Sequence, residues 1–225
     1  MNPILKNTGD GSATLFVPEM NEQYHSMNGA ITESNHVYLG NGFNYHASAN
    51  PVVFEVGFGT GLNCLLTAVQ AQKQNRPTFY ISIEKFPLEQ ELINQLNYGE
   101  LVGENGSTLF EKIHSCTWNI PTEIIPGFKL LKLRADFNTE NWALPEKCDV
   151  IYFDAFGPDK QPEMWSQENL QRLYNFSSDN GVFVTYSAKG EVRRRLKTAG
   201  YNVERLPGPP GKMEMLRGIK VLSKI

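Results

Sequence analysis

The stretch Pro51-Val52-Val53-Phe54-Glu55-Val56-Gly57-Phe58-Gly59-Thr60-Gly61 decides how the rest of this chain is read. Its first half is a short apolar run rich in β-branched and aromatic residues, the composition of a buried strand. Its second half is a glycine cluster, which permits left-handed backbone angles and close approach of a ligand to the main chain. Leu62, Leu65, Leu66 and Val69 follow at helical spacing. A strand, a glycine turn and a helix in that order open an alternating α/β pattern.

Working outward, the alternation continues to the end of the chain. Strands are expected at 78–83, 128–134, 149–153 and 181–186, and two more at 201–206 and 215–222. Helices are expected from about Leu88 to Asn97, over Glu163–Phe176, and over Glu191–Ala199 with Gly200 as its C-cap. Residues 100–127 read only as loop-rich. Such alternation implies a mostly parallel sheet covered on both faces. The ligand of such a sheet lies beyond the carboxyl ends of its strands. Residues 1–50 differ, being rich in Asn, Gly, His and Tyr. Short strands are expected there at Thr14-Leu15-Phe16-Val17 and His36-Val37-Tyr38-Leu39. The chain therefore divides into an N-terminal extension, 1–50, and an α/β domain, 51–225.

The glycine spacing is G-x-G-x-G, with Leu62 where the third glycine of a dinucleotide fingerprint would stand. An acid, Glu55, precedes it by two residues. This combination disfavours NAD and favours S-adenosylmethionine, whose cationic α-amino group suits a carboxylate. A purely structural turn is the alternative. Further acids stand at successive strand ends. Glu84 is placed to accept bonds from the ribose hydroxyls. Asp136, with Phe137 beside it, is placed for the adenine. Asp154, in Phe153-Asp154-Ala155-Phe156-Gly157-Pro158, is flanked by aromatics and proline in a small, partly dry pocket. Methyl transfer needs mainly positioning, and a carboxylate can orient an amine nucleophile and take up charge as the N–C bond forms. Any one acid can be a solvated loop residue or a cap, but four at successive strand ends is a much rarer coincidence.

Composition sets bounds on these readings. The chain has 225 residues, 40% hydrophobic and 20% charged, a globular mixture of one generous domain. No apolar run approaches the ~18 residues of a membrane span. The N-terminus has no secretory signal pattern, and three scattered cysteines read as reduced thiols, so a cytoplasmic protein is expected. The four histidines show no metal-ligand spacing. The net charge of −3 conceals an asymmetry: residues 189–225 carry +7 and residues 1–188 carry −10. Lys189, Arg193, Arg194, Arg195 and Lys197 form a basic helix. Three consecutive arginines at ~100° steps fan around it, as a phosphate-binding face or as a merely solvated one.

Several stretches resemble the methyltransferase domain of the MnmC family. They are Glu55–Gly61, Phe153–Pro158, Pro162-Glu163-Met164-Trp165 and Lys212-Met213-Glu214-Met215-Leu216-Arg217-Gly218. Tyr24-His25-Ser26 with Gly29-Ala30, and Val37-Tyr38-Leu39 with Gly40-Asn41, join them, so the match runs from about Gly11 to Gly218. The resemblance implies a class I, Rossmann-like, S-adenosylmethionine-dependent methyltransferase fold with a mostly parallel seven-stranded sheet and a β-rich N-terminal extension. It implies N-methylation of 5-aminomethyl-2-thiouridine at the tRNA wobble position to give 5-methylaminomethyl-2-thiouridine. The chain ends at Ile225, without the flavin-dependent domain of two-domain members, so the stand-alone, MnmD-like form is expected, with its amine supplied already exposed. One departure from the family pattern is the more apolar Gly208–Met213 stretch.

On resemblance and chemistry together, Asp154 orients the substrate amine. Glu55, Gly57, Gly59 and Gly61, with Asn63, hold the methionine part, and Glu84 and Asp136 the adenosine part. Tyr24 and Ser26 are lid contacts over the cofactor, or ordinary packing. Phe156 and Tyr186 are candidates to stack on the uracil, or core. Lys189, Arg193, Arg194 and Arg195 are the candidate tRNA phosphate contacts. Two alternatives remain open: a small-molecule methyl- or aminopropyltransferase on the same scaffold, and a non-catalytic RNA-binding module.

Overall fold

The structure is a computed structural model that describes residues 3–139 and 142–221. Three short antiparallel strands come first: β1 (Ile4–Asn7), β2 (Ala13–Val17) and β3 (Glu22–Gln23). Helix α1 (Ala30–Ser34) then runs on without a break into wider, π-type turns over Asn35–Phe43. The strand expected at His36–Leu39 is therefore helical. Val37, Tyr38 and Leu39 are all buried, and a short continuous apolar run cannot by itself distinguish a buried strand from a buried helix.

From β4 (Val52–Val56) the alternation appears as expected, through α2 (Leu62–Lys73) and β5 (Thr78–Glu84). The helix expected over 88–97 shrinks to α3 (Gln90–Ile93). Its end is diverted by Asn97, whose side chain accepts from Ala13 N at 2.8 Å and donates to Gly11 O at 2.9 Å. These bonds tie the chain to the N-terminal sheet instead of extending the helix. The unparsed stretch contains α4 (Tyr98–Leu101), α5 (Gly106–Ser115) and an edge strand, β6 (Thr122–Ile125). β7 (Phe128–Arg134) and β8 (Cys148–Phe153) follow. The helix expected over 163–176 is broken at Ser166, between a 3-10 turn at Pro162–Trp165 and α6 (Gln167–Phe176). The Ser166 hydroxyl caps α6 by accepting from Asn169 N at 3.2 Å. β9 (Ser177–Thr185), α7 (Gly190–Ala199), β10 (Asn202–Pro207) and β11 (Glu214–Ile219) complete the order. Leu222, in the last expected strand, lies outside the described residues.

The main sheet has the order β10-β11-β9-β8-β4-β5-β7-β6. β9, β8, β4, β5 and β7 are mutually parallel, whereas β11, β10 and β6 pair antiparallel. The sheet is thus mostly parallel, but it has eight strands and not seven, the eighth being the four-residue β6. Successive strand residues face opposite sides. Val53, Tyr80, Val150 and Tyr152 join the core shared with residues 13–43, α2 and α5. Phe54, Ile81, Ile151 and Phe153 join the core under α6 and α7.

The topology places the site. From β4 the chain steps outward through β5 to β7, then returns to pair β8 on the other flank of β4. The loops after β4 and β8 leave the sheet side by side, which is the switch point where α/β sheets bind ligands. Among the described residues, no helix is long and apolar enough to cross a membrane.

Candidate active site

A cavity of about 550 Å³ opens at this switch point. That volume lies in the range of small-molecule sites. The glycine loop forms its floor. Gly57, Gly59 and Gly61 have φ of 92°, 50° and 73°, a region that side chains rarely adopt. The neighbours also leave no space: a Cβ on Gly57 would sit 3.1 Å from the Asp154 carbonyl oxygen, and one on Gly61 would sit 2.8 Å from His114 Nε2. The loop after β8 forms one wall, the loops after β5 and β7 another, and residues 22–27 fold across from the N-terminal sheet.

Asp154 stands where the two central loops meet. Its Oδ1 accepts from the Tyr38 hydroxyl at 2.5 Å and its Oδ2 from Asn63 Nδ2 at 2.8 Å. Burial, reinforced by the nearby Glu33 charge, pushes its carboxyl up to about 7, against the pull of the Tyr38 and Asn63 hydrogen bonds. Glu55 lies one layer behind. It is 0% exposed and is not among the cavity-lining residues. It sits inside β4 opposite Ser82 of β5, whose hydroxyl donates to its Oε2 at 2.8 Å. Asn63 Nδ2 also donates to Glu55 Oε1 at 3.1 Å, so one amide bridges the two carboxylates. Burial, with the Asp154 charge next, pushes Glu55 up to about 8. Glu55, expected to touch the ligand directly, thus does not reach the cavity, and Asn63, which lines it, stands between. A strand residue within the sheet points at a sheet face, whereas the cavity is lined by the last residues of the strands and the loops beyond them.

Glu84 lines the cavity at the end of β5. Its oxygens accept from Gly59 N at 3.1 Å and Phe86 N at 2.8 Å, which ties the glycine loop to β5. Asp136 accepts from Asn138 N at 2.9 Å and pairs with Lys85 at 2.8 Å. That pairing comes first among the causes holding its carboxyl below the usual range. Phe137 also lines the wall, as do Gly57, Gly59, Asn63, Tyr24, Ser26, Phe156, Tyr186 and Lys189. Tyr24 meets Phe156 edge-on at 5.2 Å. Gly61 lies just beneath the lining. Arg193, Arg194 and Arg195 are not part of it. Arg195 is instead engaged with the Trp165 carbonyl at 2.9 Å and with Glu191.

Five contributors escaped sequence reasoning. Tyr38 holds Asp154, but its run was read as a strand. Glu33 and Lys212 form an ion pair within the wall. His25 and His114 flank Thr60 of the glycine loop, His25 Nε2 lying 3.4 Å from its hydroxyl and His114 Nε2 3.1 Å from its carbonyl oxygen. Burial lowers both imidazoles to about 4, so both are neutral at pH 7. Without metal spacing, only the fold reveals their purpose. Lys212, Tyr38 and His25 carried a signal only as members of family-like blocks, with no role attached.

Seven carboxylates and three lysines line the cavity. Every one of those lysines is paired with a carboxylate of the same wall: Lys85 with Asp136, Lys189 with Asp159, and Lys212 with Glu33. The excess of acid favours a cationic occupant. A sulfonium carrying an ammonium fits this chemistry. So do the side-chain-free glycine floor and the Asn63 Oδ1 acceptor, which is buried without a partner in the protein.

Comparison with known proteins agrees with this geometry. Residues 128–221 match the model of a family described as S-adenosyl-L-methionine-dependent methyltransferase. The chain is 31% identical over 229 aligned positions to the tRNA 5-methylaminomethyl-2-thiouridine biosynthesis bifunctional protein MnmC of Cupriavidus metallidurans, covering 95% of this chain and 33% of that protein. The protein of the same name from Leptospira borgpetersenii is 30% identical, over 87% of this chain and 32% of its own length. The chain thus spans about a third of the curated relatives it matches. The crystal structure of MNMC2 from Aquifex aeolicus superposes with a TM-score of 0.79 at 25% identity, covering 96% of this chain and 69% of that one.

Proposed function

We propose that the chain is an S-adenosyl-L-methionine-dependent methyltransferase related to MnmC and that it N-methylates the 5-aminomethyl group of 5-aminomethyl-2-thiouridine at the tRNA wobble position. The observation that carries this reading is Asp154: a carboxylate at the switch point, fixed by Tyr38 and Asn63 and tuned to about 7. The bacterial tRNA-modifying relatives support a cytoplasmic location.

When bound, S-adenosyl-L-methionine supplies an electrophilic methyl group. Asn63 and the Gly57–Gly61 loop hold its methionine part, with Glu55 acting behind Asn63. Glu84 and Asp136 hold its adenosine part, Phe137 packs at the ring, and Tyr24 and Ser26 close over it. The remaining work concerns the amine. An alkylammonium has no lone pair, so a proton must leave before it can react. Asp154 takes that proton from the nitrogen onto a carboxylate oxygen, and its raised pKa makes acceptance effective near neutrality. The cost of its burial is thereby turned into basicity. Tyr38 and Asn63 each use one lone pair of the carboxylate and leave others for the amine. The aromatic wall of Phe156 and Tyr186 excludes water and offers stacking to a base in a single-stranded loop. Lys189, with Arg193, Arg194 and Arg195 beyond it, is placed to meet phosphates outside the cavity.

Labelled S-adenosyl-L-methionine, incubated with tRNA from cells lacking this modification, tests the reading by nucleoside analysis. Label in 5-methylaminomethyl-2-thiouridine is the expected result. Label in a polyamine but not in RNA would move the chain to the small-molecule class. Absence of cofactor binding by calorimetry would leave only an RNA-binding module.

A further inference from the structure

One part of the cavity wall has no role in that reaction. Glu33 of α1 is 6% exposed, and its Oε2 accepts from Ser26 N at 2.7 Å. Its Oε1 is ion-paired with Lys212, which reaches in from the turn between β10 and β11. The Lys212 ammonium lies 3.9 Å from the centre of the Tyr186 ring, a cation–π contact that holds it in place. Glu33, Lys212, Tyr186 and Asp154 all line the same cavity. The pair thus shares its cavity with Asp154, where the amine is expected.

The pair has bonding capacity left over. An ammonium has three donors, and one of them serves Glu33. Each carboxylate oxygen can accept a second bond. The wall therefore presents a donor beside an acceptor. That arrangement complements a planar ring edge in which a carbonyl adjoins an N–H. A uracil-type base shows this edge, O4 next to N3–H. A cytosine-type base shows the reverse, an amino donor next to a ring acceptor, and would meet donor with donor. Bases in single-stranded loops are commonly read on their Watson–Crick edges.

Resting on the proposed tRNA substrate, we infer that Lys212 and Glu33 form the subsite that reads the base: Lys212 donates to the C4 carbonyl and Glu33 accepts from N3–H. This pair selects uracil-type bases, while Asp154 handles the amine beside it. The competing role is a clasp that merely ties the β10–β11 turn to α1.

The test uses two anticodon stem-loop RNAs, one carrying 5-aminomethyl-2-thiouridine and one carrying the same base methylated at N3. Loss of a buried hydrogen-bonding partner is strongly discriminated by enzymes, so wild-type kcat/KM should be about tenfold or more lower on the N3-methyl probe. In Glu33→Ala the two probes should come within about twofold of each other. Glu33→Gln, the milder change, should narrow the ratio in the same direction if the alanine variant fails to fold. Lys212→Met should lower kcat/KM on the parent probe about tenfold, with cofactor affinity by calorimetry changed less than about twofold. Equal wild-type use of both probes would overturn the inference. So would an unchanged ratio in the Glu33 variants, because a clasp would slow both probes alike. A wild-type protein that binds cofactor but methylates neither probe would fail at the earlier step, sinking the substrate reading and this subsite with it.

Discussion

The acids at the strand ends and the arginines of α7 were the two regions marked by charge, and they meet different fates. Glu84, Asp136 and Asp154 come from three separated parts of the chain and line one cavity. Arg193, Arg194 and Arg195 are consecutive, yet they point in different directions and none lines that cavity. The difference is geometric. A parallel sheet gathers the carboxyl ends of distant strands at one edge, whereas a helix turns each successive residue by ~100°. The cations that do reach the cavity are Lys85, Lys189 and Lys212, scattered in sequence like the acids. Separation along the chain was thus no obstacle to convergence, and adjacency was no guarantee of it.

The largest effect expected is at Asp154. Asp154→Asn should lower kcat on the order of a hundredfold, the usual scale for a general base, with little change in cofactor affinity by calorimetry. In the wild type, kcat/KM should rise with pH through about 7 as Asp154 ionises, and the asparagine variant should lose that limb. Full activity in the variant would remove Asp154 from the chemistry. Gly61→Ala should come next, with cofactor affinity lowered at least about tenfold. Its φ of 73° and the 2.8 Å approach to His114 leave a methyl group no room unless the His114 ring or the loop shifts. Unaltered binding would show that the floor is pliant.

A smaller effect separates the two basic groups directly. Replacing Lys85 and Lys189 by alanine should reduce the salt dependence of tRNA binding, each phosphate contact contributing a slope of about 0.7 to 0.9. Arg193→Ala with Arg194→Ala and Arg195→Ala should reduce it less, since none of the three lines the cavity. A larger loss from the arginines would reverse the contrast drawn here. A separate effect is on stability. Glu55 titrates at about 8 in the folded protein against 4.5 unfolded, so the unfolded state releases its proton first and wild-type stability falls as pH rises from about 4.5 to 8. Glu55→Gln should remove that fall. Thermal unfolding should show little difference between the two proteins at pH 4.5 and a more stable variant at pH 8.5. Parallel curves across this range would mean that Glu55 is ionised in the fold.

Much of the fold was legible because its signals are local. The apolar runs of β4, β5, β7, β8 and β9, and the glycine that caps α7, declare themselves within a few residues. Other elements did not. Val37, Tyr38 and Leu39 are buried on successive positions, which erases the period that separates helix from strand. The helix after β5 is cut short by Asn97, whose partners Gly11 and Ala13 lie more than eighty residues away. The candidate site shows the same division. Gly57, Gly59, Glu84 and Asp154 were visible as strand-end residues. Tyr38, Glu33, Lys212, His25 and His114 were not, because each works through a partner brought by folding.

The sequence alone determined the strand–glycine–helix opening, the alternation that follows and the supply of acids just past the strands. These rest on backbone freedom and hydrophobic periodicity, which are properties of neighbouring residues. Tertiary structure decided the rest. It put Glu55 behind the wall and Asp154 in front, because in the β4–β8 register Asp154 stands two residues beyond the level of Glu55, past the strand end. It also raised the pKa of both carboxylates, since desolvation belongs to what surrounds a group and not to the group itself.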